Sequence, residues 1–317
     1  MKPFSLVCLL ATAALIPALA QIAARNGARK SDPFTGQWDL TVAPRAANAK
    51  AYPDWMEVGV MEGAPSVRIQ PRGGSAFYAR QCSVEGKHLS VQWGTDDTTW
   101  DLNLKGDKLS GVEKHGADAF ADLVGVRAPL LKRKPPKAWT DPERIFNGKD
   151  LTGWVPTDPA ADNHWMVKDS ELVNASKGAN LKTSRTFDDF KLHIEFNCPD
   201  EGNSGIYLRG RYEVQVEYEK VDANDRFHSI GSVYSMLAPA VDLPRTPGKW
   251  ESFDITLVGR WLTVVRNGVT TIDNQEIPGP TGGALDSNES EPGPFFLQGD
   301  HTGGMKYRNI TIQLPKR

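Results

Sequence analysis

Carboxylates at alternate positions of apolar segments are the first feature of this sequence that could carry out chemistry. Residues 212–217 read Tyr-Glu-Val-Gln-Val-Glu, which places Glu213, Gln215 and Glu217 on one face of a predicted strand. The alternating segment around Glu195 places that carboxylate opposite the apolar face of another strand. Polar groups at outward-facing positions can bind a ligand or transfer protons, so we predict Glu213 and Glu195 as catalytic groups and Gln215 as a ligand-binding group.

His301 is the next candidate, because an imidazole needs the least change in pKa to exchange protons near neutral pH. It follows the predicted closing strand 295–298, and loops at strand ends commonly line the sites of β proteins. We predict His301 as the principal catalytic acid or base. Four further polar residues complete the predicted site as ligand-binding groups, namely Asn203, Arg209, Gln298 and Asp300. Three other histidines have only their residue type to recommend them: His164, His193 and His228.

The elements that position these residues are predicted to be strands throughout. Period-two alternation recurs along the chain, for example in residues 89–93 and 261–266, and helical periodicity is nearly absent. Turns that contain glycine separate these segments, and the pair Asn267 and Gly268 is the strongest short hairpin signal among them. The chain is therefore predicted to be all-β.

Two domains are predicted within this chain. Residues 34–128 show short alternating runs typical of a small antiparallel β domain, and residues 36–38 (GQW) resemble the Gly-x-Trp of lipocalin-like proteins. Residues 129–139 carry paired prolines and four cationic side chains, which indicates an extended, solvated linker. Many short strands over residues 140–317 predict two packed antiparallel sheets.

Ordered blocks in the C-terminal half resemble the 3-keto-disaccharide hydrolase family. Residues 145–154 (IFNGKDLTGW) are similar to the opening block of that family. Later blocks follow in the family's order: 165–173, 189–196, 202–210 (GNSGIYLRG), 212–215 (YEVQ), 297–301 (LQGDH) and 307–310 (YRNI). Glu217 and Thr302 depart from the pattern, since an aspartate and a glycine are usual at these positions, and this leaves the substrate preference open.

The resemblance implies a concanavalin A-like jelly-roll β-sandwich over residues 140–317 and the cleavage of glycosides whose ring carries a ketone at C3. Such a ketone acidifies the C2 hydrogen, so a base can form an enolate and the C1 substituent can leave by β-elimination. Water then adds at C1; direct hydrolysis is the alternative route. This chemistry needs a base with a pKa near neutral, donors that face the enolate oxygen, and an acid for the leaving group.

The oxidised sugar is the partner that the resemblance implies, and no cofactor is required. A calcium ion at Asp300 and His301 is a weaker alternative, because two adjacent residues do not make a metal site. Cys82 and Cys198 stand apart, without a spacing typical of zinc ligands. The sequence therefore predicts no metal site from its cysteines.

A non-catalytic, lectin-like carbohydrate-binding protein is the alternative from another class, because a polar sheet with aromatic side chains can bind sugars without cleaving them. Single residues have structural alternatives as well. Asn203 can belong to a simple turn, and Arg209 can pair with Glu213 or Glu195 across strands. The joint presence of Glu195, Arg209, Glu213 and His301 favours the enzyme.

The first twenty residues are typical of a secretory signal. Lys2 precedes an apolar run over residues 4–15, and residues 18–20 (ALA) have the small-x-small pattern at which a signal peptidase cuts. Residues 21–33 are then a flexible leader. Cleavage after Ala20 predicts a periplasmic or secreted protein.

Charge and hydropathy exclude other classes of partner. The formal net charge is -2 and acidic and basic residues are interspersed, which indicates no basic surface for nucleic acid. No later apolar run reaches the roughly 20 residues that cross a membrane, so no membrane span is predicted.

Overall fold

The computed structural model describes residues 32–94, 97–220 and 225–316. These residues contain antiparallel β strands and no α-helix, which confirms the all-β prediction. No helix among them has the length and apolar character that crossing a bilayer requires. The predicted signal and nearly all of the predicted leader lie outside the described residues.

Nine strands form the N-terminal half. They are β1 (Gly36–Pro44), β2 (Tyr52–Met61), β3 (Ala64–Gln70), β4 (Phe77–Tyr78), β5 (Gln81–Glu85), β6 (His88–Trp93), β7 (Thr98–Lys105), β8 (Lys108–His115) and β9 (Asp118–Arg127). Neighbours in sequence pair with one another except β4 and β5, and β9 returns to pair with β1. The sheet therefore curls around an apolar core in which Trp38 and Trp100 are fully buried. This arrangement agrees with the predicted lipocalin-like antiparallel domain.

The remaining strands form two sheets. They are β10 (Glu143–Arg144), β11 (Trp154–Pro156), β12 (Trp165–Lys168), β13 (Glu171–Asn174), β14 (Leu181–Thr183), β15 (Phe190–Asn197), β16 (Asn203–Leu208), β17 (Tyr212–Glu217), β18 (Trp250–Val258), β19 (Trp261–Arg266), β20 (Val269–Glu276), β21 (Phe296–Leu297) and β22 (Met305–Gln313). The eight-stranded sheet runs β12-β13-β22-β15-β18-β19-β20, with β10 also paired to β22. The five-stranded sheet runs β11-β14-β21-β16-β17. A hydrophobic core is built from both sheets, as expected of a sandwich.

The two faces of the five-stranded sheet differ in chemistry. Ile206 and Val214 pair across β16 and β17 and belong to the hydrophobic core. Tyr207 and Glu213 form the next pair and lie on the opposite face, because side chains alternate along a strand. We call this opposite face the outer face of the five-stranded sheet.

The edge of β17 is covered by a connecting segment, residues 231–234. The Gln215 backbone N–H donates to the Ser232 carbonyl at 3.0 Å, and the Tyr234 N–H donates to the Glu213 carbonyl at 3.0 Å. This pairing satisfies backbone groups that an edge strand would otherwise leave open. It also brings Tyr234 beside the outer face.

The predicted linker carries no strand, but it is not wholly solvated. Leu131 is buried, and its carbonyl accepts a hydrogen bond from the Arg260 backbone at 3.4 Å. Arg133 forms ion pairs with Asp188 at 2.5 Å and with Asp189 at 2.9 Å. The extended path is therefore fixed to the sandwich at two points, which its charge pattern did not indicate.

The two halves form one compact unit from Phe34 onward. Trp55 projects from β2 and is fully buried in the same hydrophobic core as the sandwich residues. Gly279 leaves room for it, since a Cβ at that position would lie 2.2 Å from the indole nitrogen. Polar contacts extend this interface, as Arg260 Nη2 donates to Gln37 Oε1 at 3.1 Å.

Replacing Trp55 with alanine should therefore weaken the packing of the two halves. Truncating a buried tryptophan typically costs about 3–5 kcal/mol of the free energy of unfolding, which urea titration followed by circular dichroism measures. Val60→Ala is the matched control, because Val60 lies on the same strand and is 55% exposed. We expect a change below about 0.5 kcal/mol for the control. Equal effects of the two substitutions would contradict the shared core.

Candidate active site

Three polar side chains follow one another on the outer face of β17. Glu213, Gln215 and Glu217 pair with Tyr207, Gly205 and Asn203 of β16, respectively. They lie on one face, as the alternation of the sequence predicts. Their exposed fractions are 3%, 2% and 5%, so this row is almost withdrawn from solvent.

Glu213 is held by the strand beside it. The Tyr207 hydroxyl lies 2.8 Å from Glu213 Oε2 and 2.7 Å from the carbonyl oxygen of Gly282. One hydroxyl proton can be donated to only one of these acceptors. Donation to Glu213 stabilises the ionised carboxylate and so opposes the effect of burial on its pKa. The tyrosine contact therefore positions the carboxyl group.

Gly205 makes room for this carboxyl group. A Cβ built on Gly205 would lie 2.0 Å from Glu213 Oε1 and 2.7 Å from the carboxyl carbon. Any larger residue would have to displace the carboxyl group, because atoms do not approach so closely. Gly205, which belongs to the GNSGIYLRG block, therefore leaves the space that the carboxyl group of Glu213 occupies.

Burial brings the pKa values of two carboxyls on this face close to neutral. Loss of solvation raises the pKa of Glu213 to about 8, against the hydrogen bond from Tyr207, and the charges of Asp300 and Glu217 add to the increase. Loss of solvation also raises the pKa of Glu217 to about 7, against the hydrogen bond from Gln215 Nε2 at 2.6 Å. One face thus carries two groups that can exchange protons near physiological pH.

Asp300 and His301 lie on the loop that follows β21. His301 Nδ1 is 2.8 Å from Asp300 Oδ1, and Asn180 Nδ2 donates to Asp300 Oδ2 at 3.2 Å. The hydrogen bond with Asp300 raises the pKa of His301 above its usual value, which favours the imidazolium. Because the charge of Asp300 raises the pKa of Glu213, the loop lies within electrostatic range of the outer face.

Thr302 ties this loop to β16. The Asn203 backbone N–H donates to Thr302 Oγ1 at 2.7 Å, and Thr302 Oγ1 lies 3.1 Å from the Asn203 carbonyl oxygen. A glycine, which is usual here in the family that the sequence resembles, could make neither side-chain contact. Thr302 therefore fixes the loop that carries His301, and Asn203 contributes its backbone to that contact.

Three side-chain oxygens at the outer face are buried and have no hydrogen-bond partner among the described residues. They are Gln215 Oε1, Glu217 Oε1 and Gln298 Oε1. Buried polar atoms normally have a partner, and each missing bond costs about 1–3 kcal/mol. A ligand rich in hydroxyl groups would satisfy these acceptors.

Glu195, which the sequence predicts as a catalytic group together with Glu213, does not lie with these residues. It lies on β15 of the eight-stranded sheet, where Arg308 Nε donates to it at 2.6 Å and Asn309 Nδ2 at 2.7 Å. Burial opposes ionisation, but these hydrogen bonds lower the pKa of Glu195 below its usual value. The physical reason is that β15 and β16 are consecutive in sequence but belong to opposite sheets.

Arg209, which the sequence predicts as a ligand-binding group, is also absent from the outer face, and it does not form the alternative pair with Glu213 or Glu195. Its side chain is fully buried and its guanidinium donates to the backbone carbonyls of Gly259 at 3.2 Å and Glu291 at 3.1 Å, and to that of Glu289. The alternation of β16 ends at Leu208, and Arg209 occupies a turn with φ 53°. The residue therefore holds surrounding loops together.

Sequence reasoning missed several residues at this site. Tyr207 could have been found, since it follows the same alternation as Asn203 and Gly205. Tyr234 and Ser75 carried no local signal, because only the fold brings them together, with their hydroxyl oxygens 3.3 Å apart. Ser75 belongs to the N-terminal half, so both halves contribute to the neighbourhood of the site.

Within residues 32–94, 97–220 and 225–316, no three side chains of His, Cys, Asp or Glu come together as metal ligands. Asp300 has both carboxylate oxygens engaged, by His301 and by Asn180. Calcium binding at this loop stays a prediction.

Two carboxyl groups with pKa values near neutral lie beside amide groups on one sheet face, an arrangement that suits acid–base chemistry on a hydroxyl-rich ligand. Residues 141–313 match the family described as the 3-keto-alpha-glucoside-1,2-lyase-like domain. The match spans more than half of the chain, so the protein belongs to this family and is a carbohydrate-active enzyme. This confirms the resemblance found in the sequence.

Solved structures give further likenesses. A protein from Parabacteroides distasonis, provisionally described as a glycosyl hydrolase, is 27% identical, with 58% of this chain and 93% of that chain covered and a TM-score of 0.47. A second such protein from the same organism is 21% identical, with 56% and 94% covered and a TM-score of 0.44. Trypanosoma rangeli sialidase is 10% identical, with 88% and 51% covered and a TM-score of 0.30. No curated protein matches the chain.

The raised pKa of Glu213 gives a prediction for stability against pH. Because the folded-state pKa of about 8 lies above the ordinary value of 4.5, this group's contribution to stability is fully present below about pH 4.5. That contribution is lost as the pH rises toward 8. Glu213→Gln removes this titration. Between about pH 5 and pH 9, we therefore expect the free energy of unfolding of the variant to fall by about 2–5 kcal/mol less than that of the wild type.

Urea titrations at both pH values measure this difference. Glu195→Gln is the matched control, because the lowered pKa of Glu195 keeps its titration below this pH window. The control should reproduce the pH dependence of the wild type. A Glu213→Gln variant with that same dependence would show that the carboxyl ionises normally.

Proposed function

We propose that the protein cleaves 3-keto-glycosides, such as 3-keto-disaccharides, on the outer face of the five-stranded sheet. The observation that carries this proposal is the pair Glu213 and Glu217, whose pKa values burial raises to about 8 and about 7 on one face. The family match supports the substrate class.

The substrate's own chemistry explains why two such groups suffice. A ketone at C3 makes the C2 hydrogen acidic, so a base of moderate strength can remove it. The resulting enolate expels the C1 substituent, which takes up a proton from an acid, and water then adds at C1. The route avoids the oxocarbenium-like transition state for which ordinary glycosidases place two carboxylates on either side of the bond.

The surroundings of each ionisable group indicate whether it acts as the base, as the acid or as the group that stabilises the enolate. Glu217, with a pKa of about 7, is partly ionised at neutral pH and has one oxygen without a partner among the described residues, so it acts as the base. Glu213 retains its proton and donates it to the leaving group. His301, favoured as imidazolium by Asp300, stabilises the enolate oxygen.

Amide groups complete the site by binding sugar hydroxyls. Gln215 and Gln298 each present a buried side-chain oxygen with no partner among the described residues. Asn203 starts β16 on the same face and is only partly buried. These groups orient the ring so that its C2 hydrogen faces a carboxylate.

Release of a chromophore tests the activity. Purified protein is incubated with a chromogenic 3-keto-glucoside and, separately, with its unoxidised parent. We expect release from the keto compound alone, because only the ketone acidifies C2. Binding of both compounds without release would instead identify a lectin-like protein and overturn the enzyme proposal.

Matched carboxamide variants locate the chemistry. Glu213→Gln keeps the shape of the side chain and removes its exchangeable acid proton, so we expect kcat to fall by about 10²–10⁴-fold. Glu195→Gln alters a carboxylate of the opposite sheet and should leave kcat unchanged. If Glu195→Gln lost activity and Glu213→Gln did not, the active site would lie on the eight-stranded sheet and the proposal would be contradicted.

His301→Ala tests the role of the histidine. If this variant turned over as fast as the wild type, His301 would have no part in the mechanism.

We also propose that the protein is exported to the periplasm or beyond, on the basis of residues 1–20 alone. Expression of the full chain in a Gram-negative host, followed by mass spectrometry of the product, tests this. The expected product begins at Gln21 and is recovered outside the cytoplasm. An intact chain that still begins at Met1 in the cytoplasmic fraction would contradict export.

A further inference from the structure

A serine, a histidine and an aspartate form a hydrogen-bonded chain across the two halves of the protein. Ser75 Oγ lies 2.6 Å from His228 Nε2, although the two residues are 153 positions apart in sequence. His228 Nδ1 lies 2.5 Å from Asp225 Oδ2. A nucleophile within reach of a base that is oriented by a third group is the arrangement that activates a serine.

The two contacts assign the protons. Asp225 accepts the Nδ1 hydrogen of His228, which leaves Nε2 of the neutral imidazole with a lone pair. That lone pair faces Ser75 Oγ and can accept the hydroxyl proton. The tautomer that the aspartate selects is therefore the one that a general base requires.

A backbone contact of the next residue, Ala76, helps to fix the position of Ser75. The Ala76 backbone N–H donates to Ser235 Oγ at 2.6 Å, and Arg68 Nη2 donates to the Ser235 carbonyl at 2.6 Å. The group remains accessible, since 22% of the His228 side chain and 39% of the Asp225 side chain are exposed. A rigidly held but reachable hydroxyl suits a nucleophile.

Tyr234 supplies a donor next to the serine. Its hydroxyl lies 3.3 Å from Ser75 Oγ, and its ring meets the His228 ring edge-on at 4.8 Å between centroids. Burial raises the pKa of Tyr234, so its hydroxyl keeps its proton. A phenolic donor at this distance can stabilise an oxyanion that forms on an acyl carbon bound to Ser75.

We propose that Ser75, His228 and Asp225 form a second catalytic site, which hydrolyses acyl esters of sugars or other small alcohols. Ser75 Oγ attacks the ester carbonyl carbon and its proton passes to His228 Nε2. The C–O bond to the alcohol then breaks, and the alcohol leaves with that proton. Water, deprotonated by His228, cleaves the acyl-serine and releases the carboxylic acid, which restores the hydroxyl of Ser75.

This site does not rest on the proposed cleavage of 3-keto-glycosides, because neither substrate nor reacting group is shared. Tyr234 nevertheless links the two sites, since its hydroxyl lies 3.3 Å from Ser75 Oγ and its backbone N–H donates to the Glu213 carbonyl at 3.0 Å. An acylated sugar is therefore the ester that fits best.

Labelling by a fluorophosphonate tests the proposal on the full-length protein. Such a probe forms an Oγ–P bond with an activated serine and releases fluoride. We expect one probe per chain, mapped to Ser75 by peptide mass spectrometry, together with hydrolysis of p-nitrophenyl acetate. Ser75→Ala should lose the label and the hydrolysis while it keeps the wild-type circular dichroism spectrum and unfolding midpoint.

Variants of the other two residues separate activation from simple accessibility. His228→Gln and Asp225→Asn should each slow labelling by about 100-fold or more, because the base or its tautomer is lost. Ser229→Ala is the matched control, since Ser229 is next to His228 in sequence but its hydroxyl donates to the Arg226 carbonyl at 2.9 Å. It should label like the wild type.

Three outcomes would overturn the proposal. The first is a folded wild type that takes up no probe, and the second is a label on a residue other than Ser75. The third is a His228→Gln variant that labels as fast as the wild type. In each case the serine–histidine contact would only hold the two halves together.

Discussion

Withdrawal of a polar sheet face from water is the constraint on which the chemistry of this protein depends. Glu213 on the outer face is 3% exposed, and loss of solvation is the main reason why its pKa reaches about 8. Part of the protein that shields Glu213 from solvent belongs to the N-terminal half. The Arg72 carbonyl accepts a hydrogen bond from the Gly283 N–H at 2.9 Å, and the neighbouring Gly282 carbonyl meets the Tyr207 hydroxyl that also touches Glu213. The proton affinity of the site therefore depends on the packing of both halves.

The interface between the halves carries buried charge as well as apolar surface. Asp39 of β1 is 2% exposed, and burial, together with the charge of Glu289, raises its pKa to about 10. Glu289 is paired with Arg260 Nη1 at 3.2 Å and accepts the Tyr212 hydroxyl at 2.7 Å. A protonated Asp39 beside the arginine-paired Glu289 avoids two adjacent buried negative charges. Such a network requires a defined relative placement of β1 and the sandwich, which is the placement that brings Ser75 to His228.

Alternation in the sequence predicted the parts of the site that a single strand defines. It put Glu213, Gln215 and Glu217 on one face, because side chains of a strand alternate whatever its neighbours are. It could not tell which sheet a strand joins, so Glu195 was placed with residues that lie on the opposite sheet. It also failed at Arg209, where the strand had already ended in a turn. The contact of His228 with Ser75 joins residues far apart in sequence, and no local pattern reports such a contact.

Two glycines near the site show how space rather than backbone freedom can determine a residue type. Gly205 has an ordinary strand conformation, yet a Cβ there would overlap the carboxyl group of Glu213 at 2.0 Å. Gly282 is constrained in the same way from the other half, since its Cβ would lie 2.5 Å from the Gly74 carbonyl oxygen. A side chain at Gly205 would push Glu213 out of the buried position that raises its pKa. A side chain at Gly282 would push the N-terminal half away from the loop that contacts Tyr207. Both glycines therefore act on the solvation of Glu213, Gly205 directly at Oε1 and Gly282 through the Tyr207 hydroxyl at Oε2.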